Sequence, residues 1–592
     1  MEEASSEDGD KNSVKQKVGN FYISGMDTAA MNKRGLEPVK PFLNKIDGIK
    51  SVQDLVNLSG EGYKEGNGFL FGFDIGPDDK ISTKNAIHFV QSGTGLPTRE
   101  YYFNMDTSSK KIREAYTEYI SKLLVLAGED NAIANKSAKE ILSLETKIAS
   151  SHSNPTELRD PIKNYNKYAL RDFKRQMPEI NFDDFLKHLE VKPDTILIGQ
   201  PQYYKALNKL LKSEPLNIWK TKYRVVTLDN AAPSLSKPFR DAYFEFYNKV
   251  LNGQTEQNPR WKQMVNQVDD GLGELLGELY VEKHFPKASK ERMLSLVNNL
   301  QKVYRSRISK LDWMSPETKE RALAKLDAFI QKIGYPDKWK KYDEVEIKKD
   351  KYFENLVAIN KHDYKEKAGK LGKEVDKTEW QMTPPTVNAY YNPSFNEIVF
   401  PAGILKFPFF DIKADDAVNY GAIGAVIGHE MTHGFDDQGR QFNKDGNLAD
   451  WWTAEDSKKF KAKAKVVVGQ YNKFTVLDSL HINGELTLGE NIADIGGVAI
   501  AYEAFKLTEQ GKGKDKIDGF TGDQRFFLSF AQVWRLKYTP ESIRLGIASD
   551  THSPEQFRVN GPFSNMPEFY KAFNIKAGDR MYREKDKRVR IW

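Results

Sequence analysis

The stretch DAVNYGAIGAVIGHEMTHGF, Asp416 to Phe435, decides how this chain is read. It carries the strongest helical pattern in the sequence, and an apolar run, GAIGAVIG, leads into His429-Glu430-Met431-Thr432-His433. Residues four apart share a face of a helix, so both imidazoles can reach one ion while Glu430 sits beside them. The apolar approach implies a buried helix. Polar groups buried there require partners, and a metal ion supplies them.

Two histidines need a third protein ligand. The continuation HExxHxxGxxH is absent, because Asp436 stands at the glycine position and Gly439 at the last histidine position. The alternative is a carboxylate from a second helix, and GENIADIGG (Gly489–Gly497) offers one. Glu490 and Asp494 are four apart and project from one face. Glu490 completes a His₂Glu set with a fourth position open to water. Asp494 accepts the far ring N–H of a ligating histidine, most simply His429, and fixes its tautomer. Gly496 and Gly497 cost helix propensity, which close packing against the HExxH helix would justify.

The whole chain sets the limits around this site. Its 592 residues exceed one hydrophobic core and suggest roughly two to four domains. A hydrophobic fraction of 39% excludes global disorder. With no Cys, disulfides, thiol catalysis, iron–sulfur clusters and Cys-ligated zinc are all excluded, so a metal must sit on His, Asp or Glu. The net charge of +6 is spread through the sequence, and no nucleic-acid partner is expected. No apolar run is long enough for a transmembrane segment. Residues 1–18 read as a disordered polar tether without an apolar signal core. Its acidic, Ser-containing character points to an extracytoplasmic protein, periplasmic or at the cell surface, with its signal segment absent from this chain; the cytoplasm is the alternative.

From Leu43 to Gln301 the pattern is helix after helix. Glu114–Gly128, Ser137–Ser153 and Phe239–Gly253 space their apolar residues at three and four, and helices are expected again at Glu291–Leu311 and from Ser315 to Gly334. After Trp380 the character changes. TVNAYY (Thr386–Tyr391), a turn at Asn392-Pro393-Ser394, and NEIVF (Asn396–Phe400) predict a β-hairpin. His88, His152, His188, His284 and His362 lack supporting neighbours and read as structural.

The motifs together resemble the neprilysin-like zinc metallopeptidases, whose bacterial members include oligoendopeptidases. NAYYNPSFNEIVFPAGIL, VIGHEMTHGFDDQGRQFNKDGNLADWW, LTLGENIADIGG, FAQVW and HSPEQFRVNGP carry the likeness; GLPTREYYF (Gly95–Phe103) and the SPETKERA…IGYP segment extend it upstream. The resemblance implies one Zn²⁺ on His429, His433 and Glu490, with Glu430 as catalytic base and Asp494 orienting a ligand. It implies that Asn388 and Ala389, on an edge strand, bond the substrate backbone. His552 would stabilise the oxyanion, oriented by Asp550, and Arg558 would grip the carbonyl beyond the scissile bond. Ile404, Phe409, Val426, Val533 and Trp534 would line a pocket for a large hydrophobic side chain, made roomier by Ala425 where mammalian members carry Met.

The implied protein is a zinc endopeptidase cutting oligopeptides on the amino side of large hydrophobic residues, and a monomer. The implied fold is mainly α (α+β). A thermolysin-like zincin catalytic lobe with a small β-sheet spans 346–592, and residues 19–42 pack on it. A helical second lobe, 43–345, encloses a central cavity. Two other readings are a catalytically silent peptide-binding protein on a zincin scaffold and a surface adhesion protein. The intact Glu430 and complete ligand set argue against the first.

Overall fold

The computed structural model describes residues 1–6, 10 and 12–592 and is mainly helical. The chain forms two compact units, each assembled from separated segments.

The first unit comprises Met1–Asp78, Thr83–Leu276 and Lys340–Val375. Its long helices follow the expected periodicity and start on side-chain caps: Asp106 accepts from Ser109 N ahead of Thr107–Leu126, and Asp130 from Ala132 N and Ile133 N ahead of Asn131–Ala149. Phe239–Gly253 is split between an α-helix to Tyr243 and a π-helical turn, Phe244–Val250. The unbroken helical reading missed a sheet made of β1 (Gly72–Asp78), β2 (Ile81–Val90), β3 (Asn166–Ala169) and β4 (Thr195–Ile198), in the order β1-β2-β4-β3. β3 and β4 are four residues each, too short to show a period among their helical neighbours.

Two expectations at the N-terminus are corrected. Glu2–Ser6 is helical rather than disordered, with Ala4 buried, and a second helix already begins at Val14; residues 7–9 and 11 lie outside the described set. Residues 19–42 belong to the helical unit, not to the unit carrying HExxH. The cause lies far along the chain: Phe21 meets Tyr352 ring to ring at 5.7 Å, and Lys17 Nζ donates to the carbonyls of Tyr342 and Val345.

The second unit comprises Asp79–Ser82, Gly277–Trp339 and Asp376–Trp592. The expected boundary at 345/346 is therefore displaced. Residues 277–339 join the HExxH unit, and 346–375 join the helical one. One strand explains the first shift. The expected helix from Ser315 to Gly334 stops as α1 (Pro316–Asp327), and β5 (Ile330–Gly334) follows. With β6 (Tyr390–Asn392) and β7 (Glu397–Pro401) it makes a sheet of order β5-β7-β6. β5 runs parallel to β7, Ile330 opposite Glu397, and β6 antiparallel, Tyr390 opposite Val399. The predicted hairpin is thus present, with a shorter first strand.

Asp416–Phe435 is helical but not one regular helix. Asp416–Asn419 leads into a π-helical turn, Tyr420–Gly424, and then α2 (Ala425–His433). α3 (Leu488–Leu507) lies against α2, and α4 (Glu555–Phe563) follows near the C-terminal end. Leu296, Leu300 and Tyr304 from helix Lys287–Lys310 fill the core with Ile427 and Met431 of α2.

Candidate active site

The site exists because α2 and α3 touch backbone to backbone. A Cβ on Gly428 would stand 2.6 Å from the Gly497 carbonyl oxygen, and one on Gly497 would stand 2.5 Å from His429 N. A Cβ on Gly496 would meet Thr432 Cγ2 at 2.8 Å. Glycine is what permits this approach. It sets His429 and His433 of α2 directly against Glu490 and Asp494 of α3.

Three atoms converge. His429 Nε2 lies 3.0 Å from His433 Nε2 and 3.2 Å from Glu490 Oε2, and His433 Nε2 lies 3.5 Å from the same oxygen. Each ring turns its other nitrogen to a carboxylate: His429 Nδ1 is 2.8 Å from Asp494 Oδ1, and His433 Nδ1 is 2.7 Å from Asp436 Oδ2. That network assigns the ring proton to Nδ1 in both residues. Both Nε2 lone pairs then face each other and a carboxylate oxygen that has no hydrogen-bond donor among the described residues. Such a cluster repels itself unless positive charge sits between its members, supplied by further ring protons, which Glu490 and Asp436 favour on His433 against the cost of burial, or by a metal ion. Tetrahedral ligands at the usual zinc distances of about 2.0–2.1 Å stand about 3.3 Å apart, which is this spacing. The residues present fit the metal.

Burial opposes ionisation of Glu490, but His433 and His552 outweigh it and hold its carboxyl well below the usual range. Burial pushes the Glu430 carboxyl up, against the pull of His429 and His433. Asp494 is lowered: burial is overcome by Arg558 and His429.

A cavity of about 940 Å³ opens at these groups. Every candidate site residue named from the sequence except Asp550 lines it. Ile404, Phe409, Val426, Val533 and Trp534 contribute apolar wall, and Ala425 adds to it. Asp550 stands behind His552, its Oδ1 2.8 Å from His552 Nδ1, while His552 Nε2 points to Glu490 Oε2 at 3.3 Å. Arg558, on α4, donates twice to Asp494 (2.9 and 2.8 Å) and lies over the Trp534 ring at 4.0 Å. One carboxylate thereby serves both His429 and Arg558, a link that sequence spacing did not reveal.

Two placements differ from expectation. Asn388 and Ala389 precede β6 rather than forming part of it, and the Ala389 N–H is taken by Asn388 Oδ1 at 2.9 Å. Asp436, read from the sequence only as a departure from one metal-binding pattern, is the carboxylate behind His433. Its other oxygen accepts from the N–H groups of Gln438 and Gly439. The signal was available in its position three residues after a candidate ligand. Exposed Val387, Phe407 and Leu536 also line the cavity and were not singled out.

Among the described residues no helix is long and apolar enough to cross a membrane. The models of peptidase family M13 match residues 1–336, for the N-terminal part, and 388–589, for the peptidase part. An endothelin-converting enzyme homolog of Locusta migratoria is 37% identical over 96% of this chain and 82% of its own. Human neprilysin is 33% identical over 98% of this chain and 82% of its own. Among solved structures, the zinc metalloprotease Zmp1 of Mycobacterium tuberculosis in complex with an inhibitor matches with TM-score 0.96 and 38% identity, covering 100% of this chain and 91% of that one. PepO of Lactobacillus rhamnosis matches with TM-score 0.89 and 26% identity over 98% of this chain and 91% of that one. A family model met in both halves, relatives along nearly the whole length and a shared fold agree with the converging histidines and carboxylates: the chain belongs to peptidase family M13, as a neprilysin-like zinc metalloendopeptidase.

Proposed function

We propose that this chain hydrolyses oligopeptides on the amino side of large hydrophobic residues, with one zinc ion held by His429, His433 and Glu490. The observation that carries the reading is the triangle of lone-pair atoms 3.0–3.5 Å apart, backed on both histidines by carboxylates. Zinc there supplies Lewis acidity toward water and a peptide carbonyl. Glu430, buried beside the ligands, takes the proton of the attacking water and returns it to the leaving amine.

His552, held by Asp550, hydrogen-bonds the oxyanion as charge develops on the scissile carbonyl. Arg558 is oriented by Asp494 and Trp534 and donates to the next carbonyl along. The Asn388 amide, its oxygen committed to Ala389 N–H, bonds the substrate backbone through its NH₂. Phe409, Val426, Val533 and Trp534 receive the apolar side chain that follows the cut bond.

The test pairs two variants. Glu430→Gln should bind zinc at one per chain while kcat falls by at least ~10²–10⁴. Near-normal turnover would remove Glu430 from its role. Glu490→Ala should lose the metal, and full zinc occupancy would refute it as a ligand. Cleavage-site mapping on a mixed peptide library should place large hydrophobic residues just after the cut.

A further inference from the structure

We infer that Lys325 is a positioning residue for the metal site, acting on His433 through the loop that carries Asp436. The inference rests on the zinc-site reading above. Lys325 lies on α1, 1% exposed, and its ammonium donates to three main-chain carbonyls, Gly434, Gly439 and Phe442, at 2.7 Å each. Three acceptors match the three N–H bonds of a protonated amine.

Each bond falls where the site needs rigidity. Gly434 follows His433 and ends α2, where carbonyls lose their helical partners and the dipole favours a cation. Gly439 donates its N–H to Asp436 Oδ1 at 2.6 Å, and Asp436 Oδ2 faces His433 Nδ1 at 2.7 Å. Phe442 closes the same loop. The ammonium therefore gathers both ends and the middle of residues 434–442 around one point, with Asp436 fixed between them. The rings of Tyr391, Phe435 and Trp451, 5.6–5.9 Å away, shield the charge from water. Burying an ammonium is costly, and a hydrocarbon side chain would fill the space more cheaply. What a hydrocarbon cannot do is hold three carbonyls in one place.

The experiment measures zinc affinity of the full chain by competition with a chelator of known affinity, together with melting of the apo-protein. Wild type should bind one zinc; if it binds none, the zinc-site reading fails, whatever Lys325 does. Lys325→Met should then bind zinc about 10–100-fold more weakly, the usual loss when an orienting partner of a ligand is removed. Asp436→Asn should weaken binding similarly, and the double variant should lose less than the product of the two.

A generic stability effect is separated by Lys332→Met, which removes another buried lysine of this unit, paired with Glu397 at 2.6 Å. It should lower the melting temperature without changing zinc affinity. Should Lys325→Met fold only with metal, the rate at which excess chelator strips zinc from the folded, loaded protein reads the site instead, and should rise about 10–100-fold over wild type. Wild-type affinity in Lys325→Met, independent effects in the double variant, or an equal loss in Lys332→Met would overturn the inference.

Discussion

Replacing Gly497 by Ala tests whether the contact of α2 with α3 builds the metal site. The new Cβ would stand 2.5 Å from His429 N, 2.8 Å from His429 Cα and 2.9 Å from the Ala425 carbonyl oxygen. Ordinary contacts begin near 3.4 Å, so the helices must part locally by about 1 Å. No rotamer change can relieve this, because all three atoms are main chain. In an exposed helix the same substitution gains about 1 kcal/mol of propensity. Overpacking of a rigid contact costs about 1–3 kcal/mol, and a contact made wholly with backbone belongs at the upper end. The balance is a loss of about 1–2 kcal/mol.

The geometry of the triangle changes too. His429 and His433 move with α2 and Glu490 with α3, so the 3.2 and 3.5 Å edges lengthen while the 3.0 Å edge does not. Zinc affinity should fall about 10–100-fold, as when a ligand's support is lost. Chelator competition reads that term, and denaturation of the apo-protein reads the other. Gly469→Ala and Gly546→Ala serve as controls, because each site is helical and its Cβ would meet nothing within 4 Å. Both should leave zinc binding unchanged and stabilise slightly. Unaltered zinc affinity and an equal or higher melting temperature in Gly497→Ala would refute the reasoning.

Other expectations are more local. His552→Gln should retain zinc and lower kcat about 10²–10³, the loss of one oxyanion donor, with a smaller fall in Asp550→Asn; peptide turnover with metal analysis decides. Val426→Phe should shrink the apolar wall and shift the mapped cleavage preference toward smaller residues after the cut; an unchanged preference would place the specificity pocket elsewhere. His152, half-buried in the helical unit with Nε2 3.1 Å from the Ser92 carbonyl, has its pKa pushed down by its partial burial to about 4. The unfolded imidazole binds a proton near pH 6.5 and the folded one only near 4, so stability is full above that window and falls as pH drops through it, by roughly 3 kcal/mol in all. Urea titrations at pH 7 and 4 should show this loss in wild type and a smaller one in His152→Gln; equal losses would count against it.

Much of the candidate site was legible because helices write their geometry into spacing. His429 and His433, four apart, and Glu490 and Asp494, four apart, each had to share a face. The paired glycines after Asp494 announced a close approach, and Gly428 meets it from the other side. Less legible was anything fixed by a partner far along the chain. β5 looked like the end of a helix because Ile330–Gly334 is defined by β7, 67 residues later in register. The placement of residues 19–42 likewise turned on Tyr342, Val345 and Tyr352.

By itself the sequence determined the chemistry available. With no Cys, and with HExxH and GENIAD the one pairing of motifs suited to a metal, the candidate ligand types followed from covalent identity and helical period, and the general-base role of Glu430 from the family resemblance. The tertiary structure decided which groups are shared. It put Asp494 between His429 and Arg558, Asp436 behind His433, and Lys325 beneath the loop that holds Asp436. Spacing reports neighbours along one element; a side chain serving two partners on different elements is settled only when those elements meet.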